Sequence, residues 1–280
     1  MPRSTTPDER VVAGHRVVTW PSRASGRPIL LLHGFTGRSE SWRRVAERVR
    51  RSARNGPAPR LVACDLPGHH PGLPVVARGG WDGAVDRLAR VVAELQLGPV
   101  HVAGYSMGAR LGLGLVARHP DMVSRATLIG VHPGLTDDGA RAARRDVEAL
   151  WARRLREEGT RSFMREWERH PVLASQCELG DEIRREQSRL RRSHDAERLA
   201  AGLELLGLSV MPSFWPSLAA LAMPVELVVG ARDEKFGPLA RRAAGRLPRG
   251  TLRVVDHAGH NVVLEAPDTV ADLLQDEEAE

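Results

Sequence analysis

Several residue types are scarce in this chain, and their scarcity excludes some classes of protein. Only two of its 280 residues are cysteines, Cys64 and Cys177, which lie far apart without metal-ligand spacing. This argues against a disulfide scaffold and favours free thiols in a reducing compartment. Apolar runs such as Ile29–Leu32 are far shorter than the ~18 residues that a membrane-spanning helix needs. Because the N-terminus also lacks the apolar core of a secretory signal, we expect a cytoplasmic protein with no membrane partner.

Lysine is almost absent, and arginine carries the positive charge. The chain has 41 Lys and Arg residues against 35 Asp and Glu, a formal net charge of +6, and Lys235 is its single lysine. The arginines are spread along the chain among acidic residues, and aromatic residues make up only 4% of the composition. A solvated, arginine-rich surface explains this pattern better than a nucleic-acid interface. An anionic small substrate is a further explanation for part of the charge.

Short apolar runs alternate with helix-like segments along most of the chain. A length of 280 residues with 42% hydrophobic composition allows one large α/β domain with an insertion, or two small domains. Continuous apolar strands that alternate with helices predict a mostly parallel sheet covered on both faces, with ligands at the carboxyl ends of the strands. The predicted strands lie within Pro28–Gly34, Leu61–Gly68, Pro99–Gly104, Ala126–Gly130, Pro224–Gly230 and Thr251–Asp256.

The alternation stops between about residues 133 and 216. This stretch is helical in pattern, rich in Arg and Glu, and has no convincing strand. We therefore predict a core formed by residues 1–132 and 217–280, with residues 133–216 inserted as a helical cap over the strand ends.

A predicted strand, the run Gly104-Tyr105-Ser106-Met107-Gly108 and a predicted helix follow one another in the middle of the core. This order is typical of a nucleophile elbow, where a strained turn presents the serine and admits only small residues two positions to either side. The helix N-terminus supplies backbone N–H groups that stabilise negative charge. The pattern predicts an α/β-hydrolase fold with Ser106 as its reactive residue.

A serine needs an activating base, and the base needs an orienting carboxylate. His260 follows the last predicted strand, where this fold carries its base, and His257 in the same loop is the alternative. The chain order of this fold is Ser, acid, His. Asp233 follows the preceding strand and is preferred over Asp256, which lies at a strand end close to the histidine.

Two backbone N–H groups are expected to form an oxyanion hole beside Ser106. In this fold one belongs to the residue after the serine, here Met107, and the other to the loop after an early strand, here Phe35.

Arg110 distinguishes this chain from a general hydrolase. It lies four residues after Ser106, so both residues occupy the same helix face. A buried guanidinium is costly unless it meets an anion, and a substrate carboxylate is a natural partner. The alternative is that Arg110 pairs with a structural Asp or Glu.

Several runs of this sequence closely resemble one family, the 2-succinyl-6-hydroxy-2,4-cyclohexadiene-1-carboxylate synthases (MenH). The resemblance extends from about Ile29 to Pro267, and its most specific part lies in the insertion. The matching runs are Gly104–Arg110, Gly130–Leu135, Gly230–Phe236, Ala258–Asn261, Arg141–Arg144, and Trp167 followed by Pro171–Ser175.

The resemblance implies a lyase of menaquinone biosynthesis that works without a metal or organic cofactor. The reaction eliminates pyruvate from 2-succinyl-5-enolpyruvyl-6-hydroxy-3-cyclohexene-1-carboxylate, a small tricarboxylate, with Ser106, Asp233 and His260 as the triad. In that reading Ser106 relays or accepts a proton and is not an acyl carrier. The side chains implied in substrate binding are Tyr105, Arg110, Arg144, Trp167, and either Arg191 or Arg192.

Two other functions remain open at this stage. A serine hydrolase of the same fold, either a carboxylesterase or a C–C bond hydrolase, shares the triad but does not need Arg110 and Arg144. An inactive scaffold used for binding is disfavoured, because the Ser, Asp and His set and both elbow glycines are intact. The sequence does not determine the oligomeric state.

Overall fold

The computed structural model describes residues 6–21, 26–52 and 59–275, and over these residues an eight-stranded sheet forms the centre of the protein. The strands are β1 Asp8–Val12, β2 His15–Thr19, β3 Gly26–Leu32, β4 Pro59–Cys64, β5 Val100–Tyr105, β6 Val123–Ile129, β7 Val225–Gly230 and β8 Gly250–Val255. They lie in the order β1-β2-β4-β3-β5-β6-β7-β8. The six strands from β3 to β8 are mutually parallel, which confirms the predicted mostly parallel sheet.

The antiparallel hairpin of β1 and β2 was not predicted. Its strands are joined by the two-residue turn Ala13–Gly14, in which both φ angles are positive. Such a turn matches the twist of the flanking strands. Most of β1 is exposed, so the hairpin carries little of the apolar pattern that reveals the other strands.

Helices cover both faces of the sheet, as the sequence predicts. The α-helices are α1 Arg43–Ser52, α2 Gly80–Glu94, α3 Met107–Arg118, α4 Asp138–Trp167, α5 Asp181–Arg192, α6 Ala196–Leu206, α7 Phe236–Ala244, α8 Val262–Glu265 and α9 Pro267–Gln275. Within the described parts of the chain, no helix has the length and apolar character to cross a bilayer.

The central strands contain continuous apolar runs because each face of the sheet packs on a separate layer of the core. In β3, Leu30 and Leu32 join the cluster beneath α2 and α3, whereas Ile29 and Leu31 join the cluster beneath α1 and α9. Side chains of a strand point alternately to the two faces. Burial on both sides therefore requires the continuous apolar runs that the sequence displays.

The segment between β6 and β7, all of which the structure describes, contains helices and no strand. Its two ends meet where Phe214 N donates to Pro133 O at 2.7 Å. Gly159, with φ 77°, breaks α4 into two helical parts, and residues of α4 and α6 form a small apolar cluster of their own. The predicted boundaries at residues 133 and 216 stay a prediction, and residues 1–5 and 276–280 of the predicted core lie outside the described residues.

Candidate active site

Ser106 occupies a strained turn between β5 and α3. Its φ and ψ are 51° and −108°, a region that non-glycine residues rarely adopt. The turn is held where Ser106 N donates to Ile129 O at 2.8 Å. It is possible only because Gly104 and Gly108 are small: a Cβ on Gly104 would lie 2.5 Å from Gly108 O, and one on Gly108 would collide with the Leu32 carbonyl.

The structure brings Ser106, His260 and Asp233 into one hydrogen-bonded chain. Ser106 Oγ lies 3.0 Å from His260 Nε2, and His260 Nδ1 donates to Asp233 Oδ2 at 2.6 Å. The Asp233 and His260 side chains are about 4% and 5% exposed. The two alternatives from the sequence, Asp256 and His257, are both exposed. This arrangement fixes the tautomer in which His260 Nε2 is free to accept the serine proton.

The loop after β3 passes directly over the serine. A Cβ built on Gly34 would lie 2.6 Å from the Tyr105 ring and 3.4 Å from Ser106 Cβ, so the backbone that leads to Phe35 runs close to Ser106. Met107 is the first residue of α3, and a helix has no internal acceptor for its first N–H groups. The two predicted oxyanion donors therefore belong to backbone segments that flank the serine.

A cavity opens above the triad at the carboxyl ends of the strands, as expected for a parallel sheet. Its walls include every side chain implied in substrate binding except Arg192. Four cationic side chains lie among the lining residues of the described chain: Arg110, Arg144, Arg191 and Lys235.

Arg110 is buried, 8% exposed, one helical turn after Ser106. Its Nη1 donates to Leu206 O at 3.1 Å, and no carboxylate of the described residues lies within ion-pair distance of it. Burial lowers the pKa of Arg110 to about 10, with partial compensation from the nearby charge of Glu148. The guanidinium thus stays charged at neutral pH without a full counterion.

Glu148 binds Arg144 instead. Arg144 Nε donates to Glu148 Oε1 at 2.8 Å, and the buried carboxylate also accepts from Leu208 N, Ser209 N and Ser209 Oγ. Burial raises the pKa of Glu148, but Arg144 and these donors outweigh that effect and hold the pKa below its usual range. The Arg144 guanidinium also lies over the Trp151 ring, 5.0 Å from its centroid, which orients it along the cavity wall.

Arg191 and Arg192, the two alternatives for a substrate-binding arginine, lie in different environments at the end of α5. Arg191 is buried in the cavity wall, where its Nη2 donates to Gln176 Oε1 at 2.8 Å. Arg192 points to the surface and pairs with Glu168 at 3.2 Å. Of the two, only Arg191 is placed to meet a ligand in the cavity.

Two aromatic residues complete the predicted set. Tyr105 is buried, its ring centroid lies 5.4 Å from that of His260, and burial raises the pKa of its hydroxyl. Trp167 packs edge-on against Phe35 at 5.3 Å and against Trp151 at 5.2 Å. These contacts connect the cap to the loop over the serine.

Comparison with known proteins agrees with this architecture. A family model described as the alpha/beta hydrolase family matches residues 29–273. The chain belongs to this family of enzymes.

Within the alpha/beta hydrolases, the chain is similar to relatives of one activity. It is 32% identical over 254 residues to proteins named 2-succinyl-6-hydroxy-2,4-cyclohexadiene-1-carboxylate synthase from Salmonella paratyphi A and Salmonella enteritidis, covering 91% of this chain and 94% of theirs. This confirms the resemblance predicted from the sequence motifs.

Solved structures share the fold. MenH from S. aureus has a TM-score of 0.84 at 24% identity and covers 92% of this chain and 96% of its own. A thermophilic esterase from Thermogutta terrifontis has a TM-score of 0.78 at 21% identity, with 96% of each chain covered.

Several residues of this alpha/beta hydrolase site were not predicted from the sequence. Glu148 carried a usable signal, since it lies four residues after Arg144 on one helix, the spacing of an ion pair. The others line the cavity from separate elements and have no local pattern in common: His132, Trp151, His170, Lys235 and Phe236. Across the described residues, no group of three or more His, Cys, Asp or Glu side chains is arranged to hold a metal ion.

Proposed function

We infer that this protein is a cytoplasmic 2-succinyl-6-hydroxy-2,4-cyclohexadiene-1-carboxylate synthase of menaquinone biosynthesis. Its reaction would eliminate pyruvate from 2-succinyl-5-enolpyruvyl-6-hydroxy-3-cyclohexene-1-carboxylate. One observation carries the proposal: a Ser-His-Asp chain opens into a cavity lined by three arginines and a lysine. The named relatives, which cover most of this chain, support it.

The charge of the cavity suits a tricarboxylate. Arg110 and Arg191 are buried without a carboxylate partner among the described residues. A buried cation of this kind is strongly stabilised by an anion that displaces the remaining water. Planar guanidinium groups bind carboxylates through two parallel hydrogen bonds, which also orients the substrate ring above Ser106.

Proton abstraction begins the reaction. His260, oriented by Asp233, takes the proton of Ser106, and Ser106 Oγ takes a proton from the substrate ring. The net result is that the ring loses one proton, Ser106 keeps its hydroxyl and His260 gains one proton. The Asp233 carboxylate stabilises the resulting imidazolium. Ser106 forms no acyl intermediate in this scheme.

Elimination follows from the charge left on the substrate. The electron pair of the broken C–H bond delocalises onto the conjugated succinyl carbonyl, where the Phe35 and Met107 N–H groups stabilise it. The pair then forms a new ring double bond next to the succinyl group, the existing ring double bond shifts by one position, and the C–O bond to the enolpyruvyl group breaks. The leaving oxygen carries its electrons away, and protonation of the released enolate yields pyruvate.

The deciding assay compares pyruvate release from the enolpyruvyl substrate with hydrolysis of small nitrophenyl esters by the same preparation. We expect pyruvate release to dominate. Fast ester hydrolysis without pyruvate release would assign the protein to the carboxylesterases of this fold instead.

Removing the Arg110 guanidinium should separate the two activities. Arg110→Ala deletes a charge-assisted contact to a substrate carboxylate, worth about 1.5–3 kcal/mol, so kcat/KM for the tricarboxylate should fall roughly 10- to 100-fold. Ester hydrolysis, which needs no such contact, should change little. Arg153→Gln, which removes an exposed arginine of α4, is the matched control. An equal fall in both activities would mean that Arg110 has a structural role.

Gly130→Ala should misplace the base. Gly130 has φ 60°, and a Cβ there would lie 2.7 Å from His260 Cε1 and 3.0 Å from Nδ1. A displacement of about 1 Å in a reacting group costs up to roughly 100-fold in rate, so kcat should fall by about that factor while substrate binding persists. Gly237→Ala, where a Cβ meets open space, should keep wild-type kcat. Unchanged kcat in Gly130→Ala would show that the contact with His260 does not hold the imidazole in place.

A further inference from the structure

One cation of the cavity has no partner within the described protein. Arg110, Arg144 and Arg191 each donate to an oxygen of the chain, namely Leu206 O, Glu148 Oε1 and Gln176 Oε1. Lys235 donates to no oxygen of the described chain; its Nζ lies over the Phe236 ring, 5.7 Å from the centroid. The adjacent Glu234 is exposed and forms no ion pair with Lys235, and Asp233 already accepts from His260. Lys235 is exposed as a residue but lines the cavity, so its ammonium group is open to a ligand there and has no acceptor among the described residues.

Two histidines of the same cavity present N–H donors as well. The backbone N–H of Gly134 donates to His132 Nδ1 at 3.0 Å, and that of Val172 donates to His170 Nδ1 at 3.2 Å. A neutral imidazole whose Nδ1 accepts must carry its proton on Nε2. No acceptor in the described part of the chain takes a hydrogen bond from either Nε2, so both rings line the cavity with a free donor.

Burial and nearby charges keep these imidazoles neutral, and Lys235 lines the same cavity. Burial and then the charges of Arg110, Lys235 and Arg144 together lower the pKa of His132 to about 4. Burial, then Lys235 and Arg144, also lower the pKa of His170. Partial desolvation of the ammonium group and the charge of Arg144 lower the pKa of Lys235, although the residue as a whole is exposed. These like charges repel one another, and a bound anion would relieve the repulsion.

The three donors come from different parts of the fold. His132 follows β6, Lys235 immediately precedes α7, and His170 begins the 3₁₀ helix Pro171–Glu178 of the cap segment. A ligand group that accepts from all three would join the core to the cap beside the triad, since Phe236 lies 4.3 Å from His260 and 6.5 Å from His132 between ring centroids.

We propose that Lys235, His132 and His170 form a carboxylate-binding subsite that holds one of the three carboxylates of the substrate. The proposal rests on the proposed function, which supplies the tricarboxylate. An ammonium group and two neutral N–H donors, with no acceptor among them, select an anion over a neutral polar group. With this subsite, the number of cations without a carboxylate partner in the cavity equals the number of carboxylates on the substrate. Because Glu148 neutralises Arg144, three cations without a carboxylate partner remain in the described cavity for three substrate carboxylates: Arg110, Arg191 and Lys235.

Steady-state kinetics and direct binding test this subsite. Lys235→Met removes the charge at similar length and should raise KM for the tricarboxylate about tenfold or more, with kcat changed less than threefold. Lys235→Arg should restore KM to within about threefold of wild type. His170→Phe should raise KM several-fold, whereas His170→Gln, which keeps an N–H donor, should not. Because both side chains bind the same carboxylate, the double variant Lys235→Met/His170→Phe should lose less than the product of the single effects.

Binding without turnover is measured in a Ser106→Ala background through the fluorescence of Trp151 and Trp167, which line the cavity. Ser106→Ala/Lys235→Met should bind the tricarboxylate about tenfold more weakly than Ser106→Ala, and Arg153→Gln in the same background should bind equally well. If wild type releases pyruvate while Lys235→Met keeps wild-type KM and affinity, the subsite is wrong and the proposed function stands. If wild type releases no pyruvate, the proposed function itself fails.

Discussion

Ser106→Ala should reduce pyruvate release by at least about a thousandfold. Ser106 and His260 both line the cavity, and His260 Nε2 lies 3.0 Å from the serine hydroxyl while Asp233 lies behind the histidine. In the proposed mechanism the hydroxyl is the group that takes the ring proton, so without it the imidazole loses its relay to the substrate. Triad members act as one unit, so removing one loses most of the benefit, roughly 10³- to 10⁴-fold or more.

Asp233→Asn should have an effect of similar size for a different reason. An amide can donate to His260 Nδ1, which would move the imidazole proton to Nε2 and leave no lone pair to accept the serine proton. Both variants should still bind the tricarboxylate, because neither residue belongs to the cationic wall.

The matched control is Ser41→Ala, which removes another serine hydroxyl from the same cavity wall. Its Oγ accepts from Arg38 N at 3.2 Å, so its loss should leave kcat nearly unchanged. The measurements are kcat for pyruvate release and, in parallel, ester hydrolysis. If Ser106→Ala kept fast pyruvate release and lost only ester hydrolysis, the serine would be an acyl nucleophile and another residue would be the base of the elimination.

The second large effect concerns acid stability. Five histidines are almost completely enclosed, and burial lowers their pKa values from 6.5 to about 3 or 4; they are His15, His33, His69, His101 and His194. His33 shows why they resist protonation. Its Nε2 accepts from Leu66 N at 2.9 Å while Nδ1 donates to Gly34 O at 2.8 Å, so adding a proton would break the first bond and bury a charge.

The sign of the pH effect follows from these lowered values. In the unfolded chain these histidines bind protons below about pH 6.5, whereas in the native state they bind them only below about pH 4. The free energy of unfolding therefore falls as the pH falls through this window. Above about 6.5 both states are neutral and the effect vanishes. Each histidine contributes a slope of up to about 1.4 kcal/mol per pH unit. Five together approach the whole stability of a typical domain, about 5–15 kcal/mol, within one to two pH units.

Urea unfolding at pH 7.5, 6.5, 5.5 and 5.0 measures this slope. His101 makes one hydrogen bond, between its Nε2 and Thr127 Oγ1 at 2.9 Å. His101→Phe removes one titrating group, so the change in unfolding free energy per pH unit should fall by up to about 1.4 kcal/mol, even if the variant is less stable. Ile29→Val, a core change that costs about 0.5–1.5 kcal/mol, should lower stability equally at every pH. A stability that stays flat from pH 6.5 to 5.0 would contradict neutral burial of these imidazoles.

The parallel strands and the family motifs were predictable because their causes are local. A strand buried on both faces needs a continuous apolar run. A nucleophile elbow needs small residues two positions before and after its serine, here Gly104 and Gly108. The hairpin of β1 and β2 escaped the same reasoning, because an edge strand with one exposed face shows little apolar pattern.

Side chains supplied by distant segments were harder to place. Arg191 and Arg192 are adjacent, and only the packing of α5 against earlier residues of the same segment determined that Arg191 faces the cavity, where it donates to Gln176, while Arg192 pairs with Glu168. Glu148 contacts Arg144 on its own helix but also Leu208 and Ser209, some sixty residues away, and such a contact has no trace in local spacing.

The sequence alone determined the parallel strands of the core and the strained serine at its centre, because both follow from short-range chemistry along the chain. It predicted Asp233 and His260 only with alternatives, and the structure brought these two side chains to Ser106. Only the tertiary structure decided how the arginines divide between structural partners and the cavity. It also placed Lys235, His132 and His170 on the wall of the same cavity. Burial and charge pairing depend on which segments come together in three dimensions, and residue types at fixed spacings do not encode that.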